Sequence, residues 1–287
     1  MRRILEQFNQ QKVDVVVLDL RRNGGGSLTE AINLTGLFID RGPVVQVKGD
    51  GDVQVYDDLD RGMAWEGPLV VLTSKFSASA SEILAGAIQD YRRGIIIGDE
   101  STHGKGTVQS LLDVGSQLFN LPNPPNMGAL KITMQQFYRP NGDSTQKRGV
   151  LADVVLPSLS NHMDVGEADL DYAVEFDSVP AASYSKYNMV DEVLLTKLRS
   201  RSLERRRNSE DFAKLLKNID RYRDQKARKS VALNEKTFFA RRAELNAEKE
   251  DEKQIEEQLN GADKGVKRDY YFKEVLAIAA DYLSELK

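Results

Sequence analysis

The distribution of apolar and polar positions divides the chain into two stretches of different character. Before about residue 157, short runs rich in valine and isoleucine at 13–20, 44–47, 69–72, 95–97 and 130–137 alternate with glycine turns and with segments of helical spacing at 29–39 and 81–90. Apolar runs of this length, bounded by turn residues, read as buried strands, and their alternation with helical spacing predicts an α/β arrangement. From about residue 193 the pattern changes to long, charge-dense segments with few glycines. Helices are predicted over 193–204, 210–229 and 241–259, and an amphipathic helix over 270–286. The expected organisation is therefore an α/β core over 1–160, a linker over 161–192 and an α-helical C-terminal domain over 193–287.

Composition narrows the function classes. With 40% hydrophobic residues in 287, the chain has enough apolar material for a substantial core. It has no apolar span long enough to cross a membrane, so it is expected not to be transmembrane. Arg2 and Arg3 are followed by residues 4–9, which are too polar for the apolar region of a signal peptide. The absence of cysteine excludes disulfides, thiol catalysis and thiolate metal sites. Net charge is −4 and unevenly placed, with a basic balance after Leu195 and an acidic one before it. The run Arg205-Arg206-Arg207 is interleaved with Glu204, Glu210 and Asp211, which reads as a solvated helix face; no nucleic-acid partner is expected.

The chemistry concentrates in three places. Phe76-Ser77-Ala78-Ser79-Ala80-Ser81-Glu82-Ile83 follows the apolar run at 69–72 and leads into a helix. A serine at such a junction lies where unpaired helical N–H groups can stabilise charge developing on a carbonyl oxygen. Ser77 and Ser81 read as helix caps. A serine nucleophile needs a base, and the chain has only two histidines: His103, two residues from Lys105, and His162, in a polar stretch. His103 reads as a loop residue. Lysine serves as base in its neutral form, and Gly104-Lys105-Gly106-Thr107-Val108-Gln109 sets a lysine between two glycines. Gln109, at i+4, falls on the same side as Lys105 in either helix or strand, and its neutral amide can orient an amine. Upstream, Asn23-Gly24-Gly25-Gly26 follows the first apolar run and reads as an active-site loop at the carboxyl end of a strand, braced by Asp19 and Arg21.

Together with Asp19-Leu20-Arg21-Arg22-Asn23-Gly24-Gly25-Gly26, these motifs resemble the three signatures of the C-terminal processing peptidases. They are most similar to the tail-specific protease branch, as are Leu28-Thr29-Glu30-Ala31, Gly36-Leu37-Phe38-Ile39, Gly67-Pro68-Leu69-Val70-Val71-Leu72 and Phe137-Tyr138-Arg139-Pro140-Asn141-Gly142. The resemblance implies a ClpP/crotonase-like serine protease core followed by the helical domain. It implies Ser79 as nucleophile, Lys105 as general base, Gln109 as its orienting partner, and the backbone N–H groups of Gly25 and Ala80 as oxyanion donors. No metal or organic cofactor is implied. Substrates would be polypeptides with apolar, unstructured C-termini, bound as an added strand. The helical domain is a candidate dock for an adaptor protein, and the implied compartment is the periplasm, with the inner-membrane surface as a candidate station. Two features depart from the family pattern. The segment between Gly98 and Gly104 is one residue longer, which adds freedom to the approach of Lys105, so Ser79 and Lys105 are expected near each other, at or beyond hydrogen-bond reach. The family's N-terminal helical region and PDZ domain do not precede the core, so the chain is expected to be a fragment of a longer protein. A binding or scaffold fragment, or a non-proteolytic crotonase-like enzyme, are the alternative readings.

Overall fold

The structure, a computed structural model, describes residues 1–49, 51–230, 233–239 and 269–286. The helix expected over 241–259 lies outside them. Helix α1 (Arg2–Gln10) precedes β1 (Val16–Asp19), α2 (Leu28–Thr35), β2 (Gly42–Lys48) and β3 (Val53–Asp58). Next come β4 (Leu69–Thr73), α3 (Ala80–Asp90), β5 (Ile95–Gly98), β6 (Thr107–Asp113), α4 (Val114–Leu118), β7 (Ala129–Tyr138) and β8 (Val154–Val155). The later helices are α5 (Glu192–Arg207), α6 (Glu210–Lys226) and α7 (Tyr270–Leu286). None of the described helices is long and apolar enough to cross a membrane.

Among the described residues, two four-stranded sheets form, in the orders β1-β4-β5-β8 and β3-β2-β7-β6. The first is wholly parallel. Every residue of β4 and β5 is buried, as expected for strands covered on both faces. Alternation along them sorts the packing. Leu69, Val71 and Ile96 join Leu5, Leu84 and Ile88 on one side, while Val70, Leu72, Ile95 and Ile97 meet Leu195, Leu198, Val275, Ile278 and Tyr282 on the other. The second sheet is antiparallel. Val44, Val45, Val47 and Phe137 of this sheet pack against Ile83, Ala87 and Tyr91. Helix α3 is thus held between the two sheets, and α5 and α7 cover the outer face of the parallel one.

Three local differences from the sequence reading have physical causes. The helix expected over 29–39 ends at Thr35, where the ladder tightens: the Leu37 and Phe38 N–H groups donate to Leu34 O and Thr35 O, three residues back. The Leu37 and Phe38 carbonyls of the closing turn accept the Ala64 and Trp65 N–H groups and Arg93 Nε. The residues between β8 and α5 run against the core, where Tyr184 and Tyr187 lie 4.9 and 5.9 Å from the Tyr91 ring and Val190 is buried beside Leu195. Arg205, read as part of a solvated face, instead donates to the buried Glu274 and to Asp281 and so ties α5 to α7.

Candidate active site

Serine 79 occupies the turn between β4 and α3 with φ +57° and ψ −115°. Positive φ is costly for a residue with a Cβ, so the surrounding bonds must impose it. They are numerous. Ser77 Oγ donates to Leu20 O at 2.8 Å, Ser81 Oγ to Asn23 O at 2.8 Å, Ser74 Oγ to Arg21 O at 2.6 Å, and the Ala78 N–H to Asn23 O at 3.1 Å. Ser77 and Ser81 are therefore not helix caps. They fasten the serine turn to the loop leaving β1.

That loop brings Gly25 against the serine. A Cβ on Gly25, whose φ is +107°, would lie 2.8 Å from both Ala78 O and Ser79 Cβ, so a side chain cannot fit there. The Gly25 N–H donates to Asn23 Oδ1 at 3.0 Å. The Ala80 N–H, the first of α3, has no acceptor among the described residues. Asp19 and Arg21 form a two-point ion pair at the base of the loop, with Nε to Oδ1 at 3.0 Å and Nη2 to Oδ2 at 2.7 Å. The Arg21 guanidinium lies 5.6 Å from the Tyr271 ring centroid.

Lys105 is half-buried at the entry to β6, and its Nζ donates to Gln109 Oε1 at 3.3 Å. No hydrogen bond joins Ser79 Oγ to Lys105 Nζ. The two segments are linked through Glu82, one turn into α3 and fully buried. Its Oε2 accepts the Ser79 N–H at 2.7 Å and the Lys105 N–H at 3.0 Å, so one oxygen bridges the backbone of both residues. Its Oε1 accepts Thr102 Oγ1 at 2.5 Å and the Gly104 N–H at 2.7 Å. Burial pushes the Glu82 pKa up, to about 7, against the downward pull of these four donors. The sequence reading names Glu82 only within the segment that leads into a helix. The Ser-x-x-Glu spacing was the available signal, since it marks a carboxylate that reaches back to the N-terminal N–H groups of a helix.

The segment between Gly98 and Gly104, expected to be slack, is pinned. Asp99 accepts the Lys75 N–H at 2.8 Å and the hydroxyls of Ser158 and Ser160 at 2.5 Å each, and the Thr102 N–H donates to Val150 O. His103 contributes its backbone, donating to Ser77 O at 2.9 Å. His162 is drawn to α6, where its carbonyl accepts Lys226 Nζ. Ser79, Lys105, Gln109, Gly25 and Ala80 thus lie in one neighbourhood at the carboxyl ends of β1 and β4, and His162 is tied elsewhere. The arrangement combines a hydroxyl on a forced turn, an amine with a neutral amide partner and an unpaired helical N–H, which are the groups needed for acyl transfer.

Comparison with known proteins gives a consistent set of relatives. Residues 1–156 match the family model of peptidase family S41, and residues 160–284 match the C-terminal domain of tail specific protease. The tail-specific protease of Haemophilus influenzae is 37% identical over 296 residues, covering 99% of this chain and 42% of the relative. The carboxy-terminal-processing protease of Bartonella bacilliformis is 39% identical over 175 residues, covering 58% of this chain and 38% of the relative. A solved structure of the photosystem II D1 C-terminal processing protease is 32% identical, covers 54% of this chain and 38% of its own, and superposes with a TM-score of 0.47. The chain spans about two fifths of the length of these curated relatives.

Proposed function

The chain belongs to peptidase family S41, and on that premise we propose that it acts as a serine endopeptidase of the tail-specific type, with Ser79 as nucleophile and Lys105 as general base. The observation that carries this reading is the Glu82 carboxylate, which fastens the serine turn and the lysine segment to a single buried oxygen. Ser79 Oγ attacks the scissile carbonyl and passes its proton to neutral Lys105 Nζ, oriented by Gln109 Oε1. The C–N bond then breaks as Lys105 returns the proton to the leaving amine, and water hydrolyses the acyl-enzyme by the same route. The Ala80 N–H stabilises the oxyanion, joined by the Gly25 N–H once it exchanges Asn23 Oδ1 for the substrate oxygen. Neither Gly24 nor Gly26 would place a Cβ within 4 Å of another group, which leaves that peptide room to turn.

The substrates in this reading are polypeptides with apolar, unstructured C-termini, in the periplasm or at the inner-membrane surface, with α5 to α7 available to an adaptor protein. Cleavage of an unstructured peptide with an apolar C-terminus, compared with the same peptide ending in charged residues, tests it. Turnover should favour the apolar tail, rise with pH to an alkaline plateau, and fall by at least about 10³-fold in Ser79→Ala and Lys105→Arg. An active Lys105→Arg protein, or loss confined to His103→Ala, contradicts the assignment.

A further inference from the structure

We propose that Gln146 and Glu167 are positioning residues that hold the Lys105 segment from the side opposite Glu82, so that the stretch matched to the tail-specific C-terminal domain completes the site of the matched peptidase core. The catalytic consequence rests on the function proposed above; the placement of the segment does not. Gln146 is fully buried and spans two partners, its Oε1 accepting the Gly106 N–H at 2.8 Å and its Nε2 donating to Glu167 Oε1 at 3.1 Å. The amide orientation follows from chemistry: an N–H requires the oxygen, and a carboxylate requires the NH₂. Glu167 meets the same segment a second time, because its N–H donates to His103 O at 2.9 Å.

The remaining backbone groups of the segment are also occupied. Gly104 O accepts the Lys147 N–H at 2.7 Å, Lys105 O accepts Thr145 Oγ1 at 3.0 Å, and Gly106 O accepts the Phe137 N–H at 2.8 Å. Contact is close enough that a Cβ on Gly106 would lie 2.6 Å from Ser144 Oγ and 2.7 Å from the Gln146 nitrogen. A lysine flanked by two glycines has little conformational restraint of its own. Its fixed position therefore comes from its partners: Glu82 and Gln146, the latter tied to Glu167, on the three N–H groups, and Lys147, Thr145 and Phe137 on the three carbonyls. An amide is a neutral side chain that accepts from an N–H through its oxygen and donates to a carboxylate through its separate NH₂, which suits glutamine to bridging these two partners at this buried position.

Exchanging the polarity of the pair tests the proposal. Gln146→Glu keeps an acceptor for the Gly106 N–H but sets a second carboxylate against Glu167. The other ionisable groups around Glu167 are His103, whose Nδ1 lies 3.9 Å from Oε2, Asp169 in the same turn, and Lys75 beside Gly166. At pH 8 the variant should exchange the 104–106 amide hydrogens faster and lose about 10- to 100-fold in kcat at nearly unchanged KM. The loss should shrink as pH falls, because the carboxyl pair then shares a proton. Glu167→Gln alone, whose amide oxygen still accepts from Gln146, should stay within about threefold of the parent chain. Adding it to Gln146→Glu should restore both protection and kcat, whether or not the single Gln146→Glu protein folds. Unchanged amide exchange in a folded Gln146→Glu protein, or a double variant no better than the single one, overturns the proposal. A parent chain that cleaves no peptide overturns the peptidase reading instead, while exchange at 104–106 still decides whether the pair holds the segment.

Discussion

A carboxylate without solvent contact requires donors for its oxygens, and Glu82 has four, two on each oxygen. All four partners donate, so a proton added to this carboxyl group faces an N–H or a hydroxyl hydrogen and weakens the link between Ser79 and Lys105. Activity should therefore decline as pH falls through about 7, the value to which burial raises this group. Stability runs in the opposite direction. A carboxyl group whose folded pKa lies above its unfolded value stabilises the fold most at low pH, and that contribution is lost as pH rises through the folded pKa. Glu82→Gln cannot titrate at this position. Its destabilisation relative to the parent, measured by denaturant unfolding, should be about 2–3 kcal/mol larger at pH 4.5 than at pH 8. An equal difference at both pH values would show that Glu82 titrates alike in the folded and unfolded chain.

At the scale of elements, burial decides what the sequence makes legible. The expected strands at 69–72 and 95–97 and the helix at 81–90 correspond to β4, β5 and α3, because each is enclosed by other layers, the strands as apolar runs and the helix through Ile83, Leu84, Ala87 and Ile88. The strand begun at residue 13 in the sequence reading starts at Val16, after a turn in which Lys12 takes φ +54°. The sequence around β6 is compatible with either helix or strand. The element is an edge strand whose burial does alternate, with Gln109, Leu111 and Asp113 exposed and Val108, Ser110 and Leu112 half-buried. Apolar Leu111 lies on the exposed face and polar Ser110 on the other, so the sequence itself shows no two-residue alternation of apolar and polar residues. Helix α7 was legible from its periodicity, but its destination was not: Ile278 is fully buried against Val70, Leu72, Ile95 and Ile97. Ile278→Ala should cost about 2–5 kcal/mol. The fluorescence of Trp65, on the far side of the parallel sheet, and the helical circular dichroism should fall together in one denaturant transition. Helix loss at lower denaturant than the Trp65 change would show that α7 packs independently of the core.

Across the whole molecule, the residues that do the proposed chemistry were readable from the motifs, as was the Asp19–Arg21 brace, whereas the side chains that fasten the serine turn and the lysine segment were not. Ser79, Lys105, Gln109 and the Gly25 loop lie in short runs of distinctive residues. Glu82, Thr102, Gln146 and Glu167 are ordinary polar residues whose importance arises only when segments far apart in sequence meet. The same holds for the layers: a charge-dense tail suggests a separate helical body, yet α5 and α7 supply the outer cover of the parallel sheet, with Val190 buried among them. The central claim, that this scaffold makes Ser79 a nucleophile with Lys105 as its base, is tested most directly by labelling the folded chain with a fluorophosphonate and mapping the adduct by mass spectrometry. The expected result is a single adduct on Ser79, formed faster as pH rises and absent from Ser79→Ala and Lys105→Arg. A folded chain that remains unlabelled, an adduct on Ser77 or Ser81, or undiminished labelling in Lys105→Arg would contradict it.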